Sequence, residues 1–281
     1  MTSTIPGREL KPMLMFNHVG LHMPNAWKIC FLVKELGLEC DMQFLDFNKN
    51  EQKQSPHIDF NPNGRIPTLV DRNNNNFPVW ESNAILMYVM DRYDSENKSG
   101  FLGTTPEEKA QVIQWLFFQA SGQGPYYGQA HWFIYLHPEE VPSAIQRYQA
   151  EILRVLGVLE THLQGREWIV GTQCTLADFA LLPYNLFYAP RLLPEGFTVE
   201  DRYPAVAAWQ SRVASRDSVL ETIKEREVQI RQYSQTIPIF RGEKARMEPV
   251  FPFSQGLGGS GETGELKKPI RGSFDRGLDQ F

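Results

Sequence analysis

A chain of 281 residues, 42% hydrophobic and 22% charged, is long enough for two modest domains and too apolar for disorder throughout. Its net charge of -5 and pI near 5.7 give no basic field, so neither nucleic acid nor an anionic membrane is expected as a partner. Residues 1–11 lack the apolar core of a signal peptide and no later stretch approaches a membrane span, which predicts a soluble cytoplasmic protein.

In chain order, a polar leader over 1–12 precedes a strand at 13–16 and a loop containing Gly20, His18 and His22. From Asn25 the positions Ile29, Leu32, Val33 and Leu36 follow helical spacing, and Gly37 supplies a left-handed stop. Cys40, Met42 and Phe44 alternate with polar neighbours as a half-buried strand does. The turn Asn61-Pro62-Asn63-Gly64 leads into a strand at 68–70, the asparagine run 73–76 predicts a hairpin, and 77–80 returns antiparallel. Glu81-Ser82 then opens a helix with Ile85, Tyr88 and Val89 on its inner face. The order β-α-β, connector, β-β-α resembles the thioredoxin fold, assigned to residues 13–93.

A polar, glycine-containing linker at 94–105 separates this domain from an all-helical bundle over 106–234. Ile145, Tyr148, Ile152, Val155, Leu156 and Leu159 line one face of a long helix there, with further helices around 176–187, 203–215 and 219–233. The fold class expected is therefore α/β plus all-α. The Gly/Pro-rich tail at 235–281 lies outside the bundle and reads as disordered, although Ile237, Ile239, Phe240, Val250, Phe251 and Phe253 could pin its first half to a surface. Cys30, Cys40 and Cys174 are odd in number and widely spaced, so they offer neither a disulfide framework nor a metal site, and no metal is expected.

Three local features point to chemistry. Pro67 stands at the mouth of a strand, where it cannot donate to a ladder. A cis Ile66–Pro67 bond would turn the Ile66 amide and carbonyl toward an extended peptide ligand. Glu81-Ser82 sits at a helix start, where free amides and the Ser82 hydroxyl suit a carboxylate and the Glu81 side chain suits an ammonium group. Pro24-Asn25 opens the first helix, whose N-terminus favours a thiolate, and the Asn25 amide adds a donor to sulfur. Taken singly, each also fits a structural role: an edge-strand proline, a serine cap and an asparagine cap.

Together, in this order and spacing, the three resemble the glutathione transferase superfamily over residues 13–233. The resemblance implies glutathione as co-substrate, with Ile66 pairing with its cysteinyl backbone, and Glu81 and Ser82 binding its γ-glutamyl end. Thr175-Leu176-Ala177-Asp178 matches the family's helix-start motif, which capping-box physics makes a folding element. Pro24-Asn25, the segment 61–71 (NPNGRIPTLVD) and the segment 115–133 (WLFFQASGQGPYYGQAHWF) are similar to the fungal nitrogen-regulator (prion-protein) type and the bacterial nu class. That branch places Asn25 at the sulfur, Gln52 or Lys53 near the glycine carboxylate, and Arg65 beside them. Neither Tyr nor Ser stands where the better-known classes activate the thiol, so weak conjugation of standard electrophiles is expected. The family also implies a homodimer.

Gly122, Gly124, Pro125 and Gly128 predict a bend in the helix around 115–133. The aromatics around it, Phe118, Tyr126, Tyr127 and Trp132, with His22 from the loop, are the candidate lining for a small apolar substrate, although bundle core accounts for each aromatic equally well. The activity expected is attack of bound thiolate on an apolar electrophile, peroxide or disulfide, or glutathione-assisted isomerisation of a conjugated alkene. The alternatives are a protein-binding regulator and a tailoring enzyme of fungal secondary metabolism. The nitrogen regulators carry a long Asn/Gln-rich leader, and the short leader here favours an enzyme.

Overall fold

Strand β1 (Met13–His18) pairs parallel with β2 (Cys40–Leu45) and antiparallel with β3 (Thr68–Asp71), which explains why Met13, Met15 and Phe16 are all fully buried. The computed structural model describes residues 10–18, 23–194 and 196–233; the tail from 235, His22 and most of the leader lie outside them. The parallel pair is bridged by α1 (Asn25–Glu35), which ends at Gly37 in the left-handed conformation, φ 64°, as the sequence predicts. Two short 3₁₀ turns, Phe47–Lys49 and Glu51–Lys53, and a one-turn helix, α2 (His57–Phe60), lead to β3.

The hairpin to β4 (Phe77–Trp80) turns through Asn75 and Asn76 at φ 52° and 56°, a region asparagine tolerates better than other side chains. The sheet order is β2-β1-β3-β4, and α3 (Ser82–Tyr93) completes the thioredoxin-like half. Phe16, Leu45, Ile66 and Val70 form a small core on one side of the sheet. On the other side Met15, Ile29, Leu32, Leu69, Ile85 and Val89 join the main core.

Residues 94–105 contain neither helix nor strand; the Asp94 carboxylate ties them down by accepting from the Lys98 and Ser99 amides and the Ser99 hydroxyl. Then α4 (Pro106–Phe118) begins at Thr105, whose hydroxyl caps Glu108 N at 3.1 Å with proline in the first turn. The glycine-rich stretch departs from α-helical bonding through π turns at Gln119–Gln123 and Trp132–Leu136, on either side of α5 (Gly124–His131). The long amphipathic α6 (Pro142–Leu163) buries Ile152, Val155, Leu156 and Leu159. It is followed by α7 (Leu176–Pro183), a third π turn at Tyr184–Tyr188, α8 (Ala189–Leu192), α9 (Val199–Arg202), α10 (Pro204–Ala214) and α11 (Asp217–Tyr233).

The two halves share one core. Helix α1 packs on α7 and α11, and Arg216 clasps Glu35 through two bonds of 2.6 and 2.8 Å. Helix α7 is pinned by Asp178, whose carboxylate accepts from Thr175 N, Thr175 Oγ1, Ile169 N and the Trp209 indole. This is the capping box expected of a folding residue, extended to α10. Cys30 and Cys174 are buried and Cys40 half-buried, all free, and burial pushes the thiols up, Cys40 to about 12.

Candidate functional site

Helices α1 and α3 both start without a side-chain cap. Pro24 and Glu81 occupy the cap positions and neither provides an oxygen to the first turn. Asn25 and Ser82 are therefore the first helical residues rather than caps, which removes the structural reading each had when taken singly. Their side chains meet instead: Ser82 Oγ donates to Asn25 Oδ1 at 3.3 Å, so two helix N-termini whose cap residues give no side-chain bond lie side by side. Glu81 holds φ 68°, a conformation uncommon for a residue with a side chain, and its carboxylate is exposed.

The Ile66–Pro67 bond is cis, and the ladders from β1 and β4 reach only to Thr68, leaving the Ile66 backbone outside the sheet pairing. A buried polar cluster holds this corner. His57 and Asn61 both reach Thr68 Oγ1, at 3.0 and 2.9 Å, and Asn61 Nδ2 also donates to Arg65 O at 2.8 Å. The other ring nitrogen of His57 contacts Gln52 O at 2.9 Å, which fixes the 3₁₀ turn carrying Gln52 and Lys53 beside the proline loop. The Gln52 Oε1 atom is buried with no hydrogen-bond partner among the described residues. Lys53 is exposed; its Nζ donates to Asn63 O at 2.7 Å, and its stem lies so close over Gly64 that a Cβ there would come within 2.6 Å. Arg65 is exposed at the tip of the loop.

The aromatic candidates are not brought together in this way. Tyr127 is fully buried, its hydroxyl donating to Asn185 Oδ1 at 3.0 Å. It packs in the core, where Asn185 satisfies its hydroxyl. Phe118 is half-buried against Trp115, Tyr126 is half-buried beneath Arg154, and Trp132 is exposed next to His137. His22 lies outside the described residues.

The tyrosine that does reach Asn25 is Tyr184, from the third π turn: its Oη donates to Asn25 Oδ1 at 3.1 Å. Burial pushes this phenol well above its ordinary range, so it stays a neutral donor. Behind it stands Lys28, one turn along α1 from Asn25 and fully buried. Lys28 Nζ donates to Asn83 Oδ1 at 2.7 Å and Gln119 Oε1 at 2.8 Å; desolvation brings it down to about 7, against the opposing pull of Glu81. The sequence held a signal for Lys28, which falls on the apolar stripe with Leu32. Tyr184 had none, being one aromatic in an apolar run.

With this geometry in place, the family models agree with it. The glutathione S-transferase N-terminal domain matches residues 12–91 and the C-terminal domain residues 125–217. The chain is 43% identical over 221 residues to glutathione S-transferase 2 of Schizosaccharomyces pombe, covering 75% of this chain and 94% of that one. The chain belongs to the glutathione S-transferase family. Within the family, the glutathione transferase URE2P6 of Phanerochaete chrysosporium, crystallised in complex with oxidized glutathione, superposes at a TM-score of 0.72 with 47% identity, over 78% of this chain and 98% of that one. Protein URE2 of Saccharomyces bayanus is 30% identical over 257 residues, 80% of this chain and 73% of that protein. Of the candidate residues brought together here, Asn25, Ile66 and Ser82 come from the thioredoxin-like part and Tyr184 from the helical part.

Proposed function

We propose that this protein is a glutathione-dependent enzyme in which bound thiolate attacks a small apolar electrophile, with peroxide or disulfide reduction and isomerisation of a conjugated alkene as reactions open to the same site. The observation that carries the reading is the Ser82–Asn25 contact at 3.3 Å, which joins two uncapped helix starts at one point. An anionic sulfur and a carboxylate both gain from such amides.

In this reading the first-turn amides of α3 and the Ser82 hydroxyl take the γ-glutamyl carboxylate, and Glu81 takes its ammonium group. The Ile66 main chain pairs with the cysteinyl unit. Gln52, with its unpartnered buried oxygen, and Lys53 serve the glycine end, with Arg65 at the rim. Asn25 and the α1 N-terminus face the sulfur and lower its proton affinity. Phe118, Tyr126 and Trp132 supply apolar surface for the second substrate. The enzyme works in the cytoplasm as a homodimer; the exposed Phe77, Trp80 and Phe117 support an assembled state, which light scattering tests.

The similarity to URE2 favours a second reading, a regulator that binds protein with little catalysis. Retention on glutathione resin, followed by turnover of electrophiles and hydroperoxides, separates the two. Retention with turnover supports the enzyme; retention without turnover favours the regulator. No retention removes the glutathione reading itself.

A further inference from the structure

The role of a protonated Lys28 is fixed by chemistry, and it orients the amides and hydroxyl between itself and Asn25. An ammonium donates only. Gln119 must therefore turn its Oε1 to Lys28, as it does at 2.8 Å, and its amide nitrogen is left for Tyr184, with which it hydrogen-bonds. Having accepted from Gln119, the Tyr184 hydroxyl sends its own hydrogen to Asn25 Oδ1 at 3.1 Å, where Ser82 also donates. When a ligand carboxylate draws the Ser82 hydrogen away, Tyr184 still holds Oδ1, so the end of the Asn25 amide that remains to act on the sulfur is Nδ2, a donor. Asn83 closes the arrangement from α3: its Oδ1 accepts from Lys28 at 2.7 Å, and its Nδ2 donates to Gln119 Oε1 at 3.0 Å and Leu116 O at 2.7 Å.

We infer that Lys28, Gln119 and Tyr184 form a one-way donor relay that holds the Asn25 amide with its N–H toward the glutathione sulfur and polarises it in favour of thiolate. The inference rests on the proposed function. Each link donates toward the sulfur, with a cation at the far end, so the bonds strengthen one another when negative charge develops there. Burial shields the relay from water's competing donors: Lys28, Gln119 and Tyr184 are all buried. Among the described residues no carboxylate is hydrogen-bonded to Lys28; Glu81 at the α3 cap acts on it from a distance, and Tyr184 is the neighbouring titratable group of the relay. Below about pH 7, where the buried lysine keeps its proton, its positive charge acts along the relay. These three are positioning residues, since Asn25 alone faces the ligand.

The test is the thiol pKa of bound glutathione, read from thiolate absorbance in a pH titration of the full-length complex, with glutathione affinity measured in parallel by calorimetry. Tyr184→Phe removes one oxygen and keeps the ring, so folding is preserved; Lys28→Met removes the charge. Both are expected to raise the bound thiol pKa by about one unit, a roughly tenfold loss of thiolate at neutral pH, while affinity changes by less than about threefold. Binding with an unchanged thiol pKa in both Tyr184→Phe and Lys28→Met overturns the relay and leaves the proposed function standing. Absence of glutathione binding by the wild-type chain overturns the proposed function instead.

Discussion

Two helix starts in this molecule look alike in sequence and do opposite things. At α7, Thr175 and Asp178 turn every polar group inward: the carboxylate collects four donors from three segments and is fully buried. At α3, Glu81 and Ser82 leave the first turn uncapped, the Glu81 carboxylate lies in solvent, and the Ser82 hydroxyl reaches to another helix start. The difference teaches that hydrogen bonds not made within the fold mark the site better than the residue types do. A capped helix end has spent its amides on the fold, whereas an uncapped pair facing each other is a candidate for a ligand.

The largest effect is expected at the satisfied end. Asp178→Ala strands the Ile169 and Thr175 amides and the Trp209 indole in the core, and should cost about 3 kcal/mol or more in denaturant unfolding. Glutathione affinity of the folded fraction should stay unchanged. A stability loss below about 1 kcal/mol, or a comparable loss of affinity, would break the contrast between the two helix starts. Asn25→Ala addresses the open end and should lower turnover by about 10²-fold with little change in glutathione affinity, because its amide acts on charge that develops at sulfur. Equal turnover would remove Asn25 from the site. Ser82→Ala should weaken glutathione binding about tenfold and shift stability by less than about 0.5 kcal/mol, since it caps nothing. A large stability loss there would mean that Ser82 serves the helix after all.

Much of the fold was legible because period and punctuation agree in it. The two-residue alternation at 40–45, the asparagine turn before Phe77, Gly37 and the apolar face of α6 each specify one local structure, and the element order follows. Ile66, Ser82 and Asn25 were legible as candidates only as a set, since each taken singly also fits a structural role, and it was their order and spacing that pointed to one ligand. The helical half of the site was not. Phe118, Tyr126, Tyr127 and Trp132 sit in a stretch whose two π turns shift the helical phase, so a regular 3.6-residue wheel cannot tell which ring faces inward. Tyr127 went to the core, and the tyrosine beside Asn25 came from another π turn some fifty residues further on. Lys28 shows the limit from the other side: its place on an apolar stripe was visible, yet its acceptors come from α3 and the π turn after α4, which only the tertiary fold brings together.

Lys28 also gives the comparison its finest test, since both helix starts have a buried ionisable group beside them. Burial pushes the Asp178 carboxyl up while its donors pull it back; burial pushes Lys28 down to about 7 with two neutral amides as its bonded acceptors. The sign for Lys28 follows from linkage. Below about pH 7 the lysine is protonated in both folded and unfolded chains, so its full desolvation penalty falls on the fold. Between about 7 and 10.5 the folded protein has released a proton that the unfolded chain still holds, and that penalty fades as pH rises. The wild type should therefore gain on Lys28→Met from pH 6 to pH 9, with a slope no steeper than about 1.4 kcal/mol per pH unit, whatever the offset between them from lost contacts with Asn83 and Gln119. Parallel denaturation curves at the two pH values measure it. A constant gap would mean that Lys28 keeps its charge across the range, held by Glu81 more firmly than burial opposes it. A widening advantage for the variant would reverse the sign and remove the contrast between a carboxylate provided for by the fold and an ammonium left for the site.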